Sequence, residues 1–161
     1  MSDLAALEQR IARLEDIEAI NRLKYRYWRD LDLKLWDDLA GCFVADATVR
    51  YGDGKYTFTG VESIMNFLRS SLGETTGAVT VHHGHHPEID ITGPTTARGT
   101  WALYNYMYSV KQNRGIRIGA YYEDTFVKVG GVWKFQHVGY RAIFHEEWRR
   151  DDIPSLRLLT G

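Results

Sequence analysis

Residues 79–111, VTVHHGHHPEIDITGPTTARGTWALYNYMYSVK, decide the architecture. Val, Ile, Thr, Tyr and Trp recur through them, the residue types that fit a pleated, half-buried surface. Gly93-Pro94 breaks the stretch into two runs, near 79–92 and 96–111. Two more runs of the same character follow, near 116–129 and 132–147, separated by Asn113-Arg114-Gly115 and Gly130-Gly131. Long strands joined by short turns predict an antiparallel sheet.

Upstream of this sheet the hydrophobic period is helical. Leu4, Leu7, Ile11, Leu14, Ile17, Ile20, Leu23 and Tyr27 recur at three- and four-residue steps, which predicts one long helix over 3–30. Its first turns have little core to cover and are expected to pack on another subunit. A second helix is predicted from Leu33 to Val44, with Leu35, Trp36, Leu39 and Phe43 inward. Thr48 to Tyr51 and Lys55 to Thr59 flank Gly52-Asp53-Gly54, a hairpin signal. A third helix runs from Gly60 to Leu72. Helices first and a long sheet after them make an α+β order rather than alternating βαβ units. One domain is expected over 1–161, with a sheet-rich half at 79–147 and an apolar tail at 148–161 that packs on the body or a neighbour.

Composition narrows the function. Ten Tyr, six Phe and five Trp supply enough stiff side chains to wall an apolar pocket. A formal charge of −1 without a basic tract argues against a nucleic-acid partner. The start, MSDLAALEQR, has no basic-then-apolar pattern, and no apolar run reaches membrane-spanning length. With one cysteine, Cys42, no internal disulfide forms, and a cytoplasmic location is expected. Cys42 beside Phe43 reads as core rather than nucleophile.

Chemistry concentrates in His82-His83-Gly84-His85-His86. Neighbouring histidines on a strand point to opposite faces, which works against a shared metal, and no metal site is assigned. Regular alternation would group His83 and His85 with Val79 and Val81 on the core face, but Gly84 permits a bulge that reverses this, so alternation alone leaves the inward histidine open. Tyr27 continues the buried stripe of the long helix, and Asp32 follows where that helix ends, a place that equally suits an N-cap of the second helix. A buried carboxylate there needs a partner, and a sheet histidine is a natural one. Asn105 shares a strand face with Trp101, Leu103 and Met107, a polar group among apolar neighbours.

Taken together, Ile17-Glu18-Ala19-Ile20, Leu23-Lys24, Tyr27, Leu31-Asp32, Trp36-Asp37 and Leu39 resemble the opening of SnoaL-like proteins. The resemblance continues through His82, Gly84-His85, Pro87-Glu88-Ile89, Thr100-Trp101, Gly119-Ala120, Tyr122, Trp133 and Gly139-Tyr140, over nearly the whole chain. Among such proteins it is greatest to the bile-acid 7-alpha-dehydratases and more distant to scytalone dehydratase. It implies a cone-shaped α+β barrel of the nuclear-transport-factor-2-like superfamily, with three N-terminal helices packed on a strongly curved, mostly antiparallel sheet. It also implies a homotrimer and a cofactor-free lyase that acts on a small hydrophobic hydroxylated steroid, polyketide or aromatic compound.

The functional set it implies falls on His82, Asp32 and Tyr27. The family's strand Asp is replaced by Asn105, and its late Arg falls near Arg141. Substrate contacts are expected from Asn105, Arg141, Trp101, Tyr51 and His85. In this scheme Asp32 fixes the tautomer of His82, His82 removes a proton, and His82 or Tyr27 protonates the departing hydroxyl. Two other functions suit the same pattern: a retro-aldol lyase releasing formaldehyde from an aromatic diol, and a non-catalytic binding module or oxygenase small subunit.

Overall fold

The computed structural model describes residues 3–159. Among them, α1 (Asp3–Asp32) precedes α2 (Trp36–Ala40), the hairpin of β1 (Phe43–Tyr51) and β2 (Tyr56–Thr59), and α3 (Val61–Leu72). Four long strands follow: β3 (Ala78–Gly93), β4 (Thr96–Ser109), β5 (Arg114–Val129) and β6 (Val132–Arg149). The six strands form one curved, unclosed sheet in the order β2-β1-β6-β5-β4-β3, with β1 parallel to β6 and every other pair antiparallel. The helices pack on its concave side, and the chain has the expected α+β cone. No helix among the described residues is long and apolar enough to cross a membrane.

The core lies between α1 and the sheet. From Ile20 onward, α1 buries Ile20, Leu23, Tyr27, Trp28 and Leu31 against Trp101, Tyr122, Phe126, Phe135 and Val138. Its first turns do not reach the sheet, so Leu4, Leu7, Ile11 and Leu14 stay exposed. The junction is marked by Asp16, whose Oδ1 accepts the Trp133 indole N–H at 2.9 Å.

The second helix is shorter than its composition predicts, spanning Trp36–Ala40. Phe43 belongs to β1, where Phe43, Ala47, Val49 and Tyr51 are buried, and the Phe135 N–H donates to the Cys42 carbonyl at 2.9 Å. Pairing with β6 thus overrides the helical spacing. Leu35, expected inward, is exposed, while Cys42 is buried in the turn between α2 and β1. The C-terminal segment passes through a short 3-10 turn at Arg150–Asp152, where the Asp151 N–H donates to Asn113 Oδ1 at 3.0 Å. Ile153 and Leu156 then line an outer groove with Tyr104 and Trp148.

Bulges curve the long strands and decide which residues face the cavity. Pairing slips between His85 and Glu88 on β3, and again where Gly119 pairs Phe144 but Ala120 pairs Ala142, leaving Ile143 unpaired. Two further slips lie between Ile91 and Gly93 and between Thr125 and Phe126. Before the first bulge the inward residues of β3 are Ala78, Thr80, His82 and Gly84; after it they are Ile89 and Ile91. The bulge sits at His86-Pro87, not at Gly84, and His86 has φ +53°.

Gly84 has a different task. A Cβ there would lie 1.8 Å from Trp28 Cη2, so the indole rests directly on the strand backbone. Gly84→Ala is expected to displace Trp28 and lower stability by about 1–3 kcal/mol, the usual cost of overpacking. Urea denaturation measures this; parental stability would mean that the indole does not seat there.

Candidate active site

The last turn of α1 and the start of β3 run side by side. Seating Trp28 on Gly84 brings Asp32, one helical turn on, beside His82, the next inward residue of the strand. His82 Nδ1 and Asp32 Oδ1 are 2.6 Å apart. The His82 backbone N–H donates to Asp32 Oδ2 at 2.8 Å, and the Thr80 hydroxyl donates to Oδ1 at 2.8 Å. The two side chains are 6% and 20% exposed, respectively. Burial pushes the Asp32 carboxyl upward, but the bonds and charge from His82 and the bond from Thr80 outweigh it, and its pKa lies below the ordinary value. The ionised carboxylate only accepts, which assigns the donor to Nδ1–H and leaves Nε2 as the basic nitrogen.

His82 lines a cavity of about 350 Å³ together with Tyr27, Tyr51, Asn105, Tyr122 and Tyr140. The Tyr27 and Tyr51 hydroxyls share a hydrogen bond of 3.0 Å, and Tyr51 stacks on Tyr140. Burial raises the pKa of all four tyrosines, so they remain neutral phenols near pH 7. Asn105 lies directly across from His82 on β4, and its Oδ1 is buried without a partner among the described residues. The same row continues through Ile118 on β5 to His145 on β6. At the far end Arg114, held by Glu147 at 2.7 and 2.8 Å, also lines the cavity.

The family model of the SnoaL-like domain matches residues 12–139 of this chain. The chain belongs to the SnoaL-like family. Solved structures place its fold in the same group. A presumptive scytalone dehydratase from Novosphingobium aromaticivorans is 27% identical, with a TM-score of 0.77 over 85% of this chain and 90% of that one. A LinA-type3 hexachlorocyclohexane dehydrochlorinase from Novosphingobium barchaimii has a TM-score of 0.78 at 19% identity, covering 94% of this chain and 99% of that one. A LinA Type2 dehydrochlorinase has a TM-score of 0.76 at 21% identity, over 86% and 92%. The two LinA likenesses speak for the fold alone.

Within this SnoaL-like cone, Tyr27, Asp32, Tyr51, His82 and Asn105 come together; three other expected residues do not. Trp101 is fully buried below the cavity, against Trp28 and Phe126. His85 is exposed and stacks on His83 across the outer face, because the bulge follows it. Arg141 points outward with its side chain 75% exposed, 4.0 Å from Glu123. The unpaired Ile143 reverses alternation just beyond it and turns His145 toward the cavity, at whose rim it stays exposed. His145 and Arg114 were not singled out by the sequence; the row of paired residues running from His82 is the signal that finds them.

The sequence also hides an ion pair beneath the cavity. Lys24 Nζ donates to Asp124 Oδ2 at 2.6 Å, with both side chains 0% exposed. The ammonium lies 3.3 Å from the Tyr122 ring centroid and 4.9 Å from that of Tyr27. Burial lowers the Lys24 pKa and raises that of Asp124, while each partner opposes the other's shift. Breaking such a pair strands a buried charge. Lys24→Met is expected to cost about 3–5 kcal/mol, and adding Asp124→Leu should recover most of it. Denaturation of the single and double variants reads both values.

Asp32 gives a pH-dependent expectation. Its folded pKa lies below the unfolded one, so its ionised form stabilises the fold above the unfolded pKa, and that contribution is lost as pH falls through the folded pKa. Asp32→Asn should therefore destabilise the protein by about 1–3 kcal/mol at pH 7, with the deficit shrinking below about pH 4. Urea melts across pH measure the difference; a deficit constant with pH would contradict it.

Proposed function

We propose that this SnoaL-like protein is a cofactor-independent lyase of the dehydratase type, acting on a small hydrophobic hydroxylated substrate. The observation that carries the proposal is the His82–Asp32 pair, 2.6 Å apart on the wall of an aromatic-lined cavity. With Nδ1–H held by the carboxylate, His82 Nε2 accepts a proton from substrate and Asp32 stabilises the imidazolium that forms. The departing hydroxyl takes a proton from that imidazolium or from the Tyr27 phenol, whose bond to Tyr51 orients it. The Asn105 amide, across from His82, suits a substrate hydroxyl or carbonyl. The name of the 27%-identical structural neighbour, a scytalone dehydratase, denotes a water elimination, which agrees with this reaction class.

The substrate is proposed to be a hydroxylated steroid, polyketide or aromatic compound, met in the cytoplasm. A homo-oligomer belongs to the same reading, with a trimer favoured by the resemblance. Leu4, Leu7, Ile11 and Leu14 on α1, and Val79, Val81, Tyr104 and Tyr121 on the outer sheet face, supply apolar surface for it.

The test is a mass-spectrometric screen against hydroxysteroids, aromatic diols and β-hydroxy ketones, with His82→Ala in parallel. Loss of one water is expected, with turnover about 10²–10⁴-fold lower in the variant. Release of formaldehyde would transfer the same pair to a carbon–carbon lyase, and a variant keeping more than about a tenth of parental turnover would remove His82 from the role of base.

A further inference from the structure

The helix that presents Asp32 ends in an unusual way. The Lys34 N–H donates to the Leu31 carbonyl at 3.3 Å and the Leu35 N–H to the Asp30 carbonyl at 2.8 Å, the paired bonds of a Schellman ending. The residue at its left-handed position is ordinarily glycine; here it is Lys34, with φ +61°. A branched-off side chain in that backbone region is strained, and such strain persists where the side chain has a use.

The use is visible in its contacts. Lys34 Nζ donates to Thr80 Oγ1 at 3.2 Å, and Thr80 Oγ1 donates to Asp32 Oδ1 at 2.8 Å. An ammonium only donates, so the Thr80 oxygen accepts from Lys34 and its single proton is committed to Asp32. We infer that Lys34, acting through Thr80, is a positioning residue that locks the Asp32 carboxylate as the acceptor for His82 and limits how strongly it traps His82 as imidazolium. For its catalytic meaning this rests on the lyase reading above.

A carboxylate paired with histidine alone favours the charged ring, which is a spent base. The half-buried Lys34 cation and the Thr80 hydroxyl draw on the same carboxylate and oppose that tendency. Burial lowers the Lys34 pKa while Asp32 opposes the fall, consistent with an ammonium held beside the carboxylate. The other titratable groups lining the cavity with His82 are Tyr27 from α1, Tyr51 from β1, Tyr56 from β2, Arg114 and Tyr122 from β5, and Tyr140 and His145 from β6. None of them is hydrogen-bonded to Asp32, so the Lys34–Thr80 arm acts on the pair separately from the cavity wall.

The experiment is an NMR titration of the histidine rings in the full-length protein, with the His82 signal assigned by its loss in His82→Gln. Lys34→Gly relieves the backbone and is expected to keep or raise the melting temperature. It should also move the His82 titration midpoint upward by about half a pH unit or more, as loss of a nearby positive charge does. Lys34→Met and Thr80→Val should move it in the same direction, and Lys34→Arg and Thr80→Ser should restore the parental value. A midpoint within about 0.2 unit of the parent in both Lys34→Gly and Lys34→Met would overturn the inference. The titration reads the network without any substrate. If Lys34→Gly shifts it while His82→Ala retains turnover, the positioning stands and the lyase reading falls.

Discussion

A helix and a strand meet here at a position with no side chain, and the site depends on that approach. Trp28 lies on Gly84, and the two elements then run in step: Asp32 falls beside His82, and Lys34 reaches Thr80. The spacing is the product of two periods. Trp28 and Asp32 are one helical turn apart, while Gly84, His82 and Thr80 are alternate residues of a strand. Any side chain at position 84 would displace the Trp28 indole that seats the helix on the strand.

Beneath this contact the core carries charge. Lys24 and Asp124 join α1 to β5 under the cavity floor, enclosed by Tyr122, Tyr27, Trp28 and Trp101. A pair so deeply buried is a poor source of net stability, but it penalises every arrangement in which helix and sheet slide apart. It also fixes Tyr122 and Tyr27, whose other faces line the cavity. The same helix therefore supplies the core anchor, the phenol and the carboxylate in succession.

Much of this was legible in the residues. The helical steps from Leu4 to Tyr27 and the four β-rich runs predicted the order of elements, and Asp32 after Tyr27 marked the helix end as a candidate site. Strand parity was not legible from alternation. Val79 and Val81 suggest a core face, yet they are exposed, and the bulge that restores Ile89 and Ile91 to the inside lies at His86-Pro87. The unpaired Ile143 likewise separates the outward Arg141 from His145 at the cavity rim. Bulges depend on the partner strand, so a single run of residues does not locate them. The buried pairing of Lys24 is not legible in sequence, because a helical lysine ordinarily faces water and its partner lies 100 residues away. The ending at Lys34 was hidden for a similar reason, since the left-handed position is ordinarily signalled by glycine.

The central claim is that Asp32 holds the His82 ring with Nδ1 protonated and Nε2 free as a base. A long-range proton–nitrogen NMR spectrum of the ¹⁵N-labelled protein at neutral pH tests this directly, because the two tautomers give different nitrogen shifts and coupling patterns. The Nδ1–H tautomer is expected for His82 in the parent protein, and its loss in Asp32→Asn. A His82 ring protonated at Nε2 and bare at Nδ1 in the parent would contradict it.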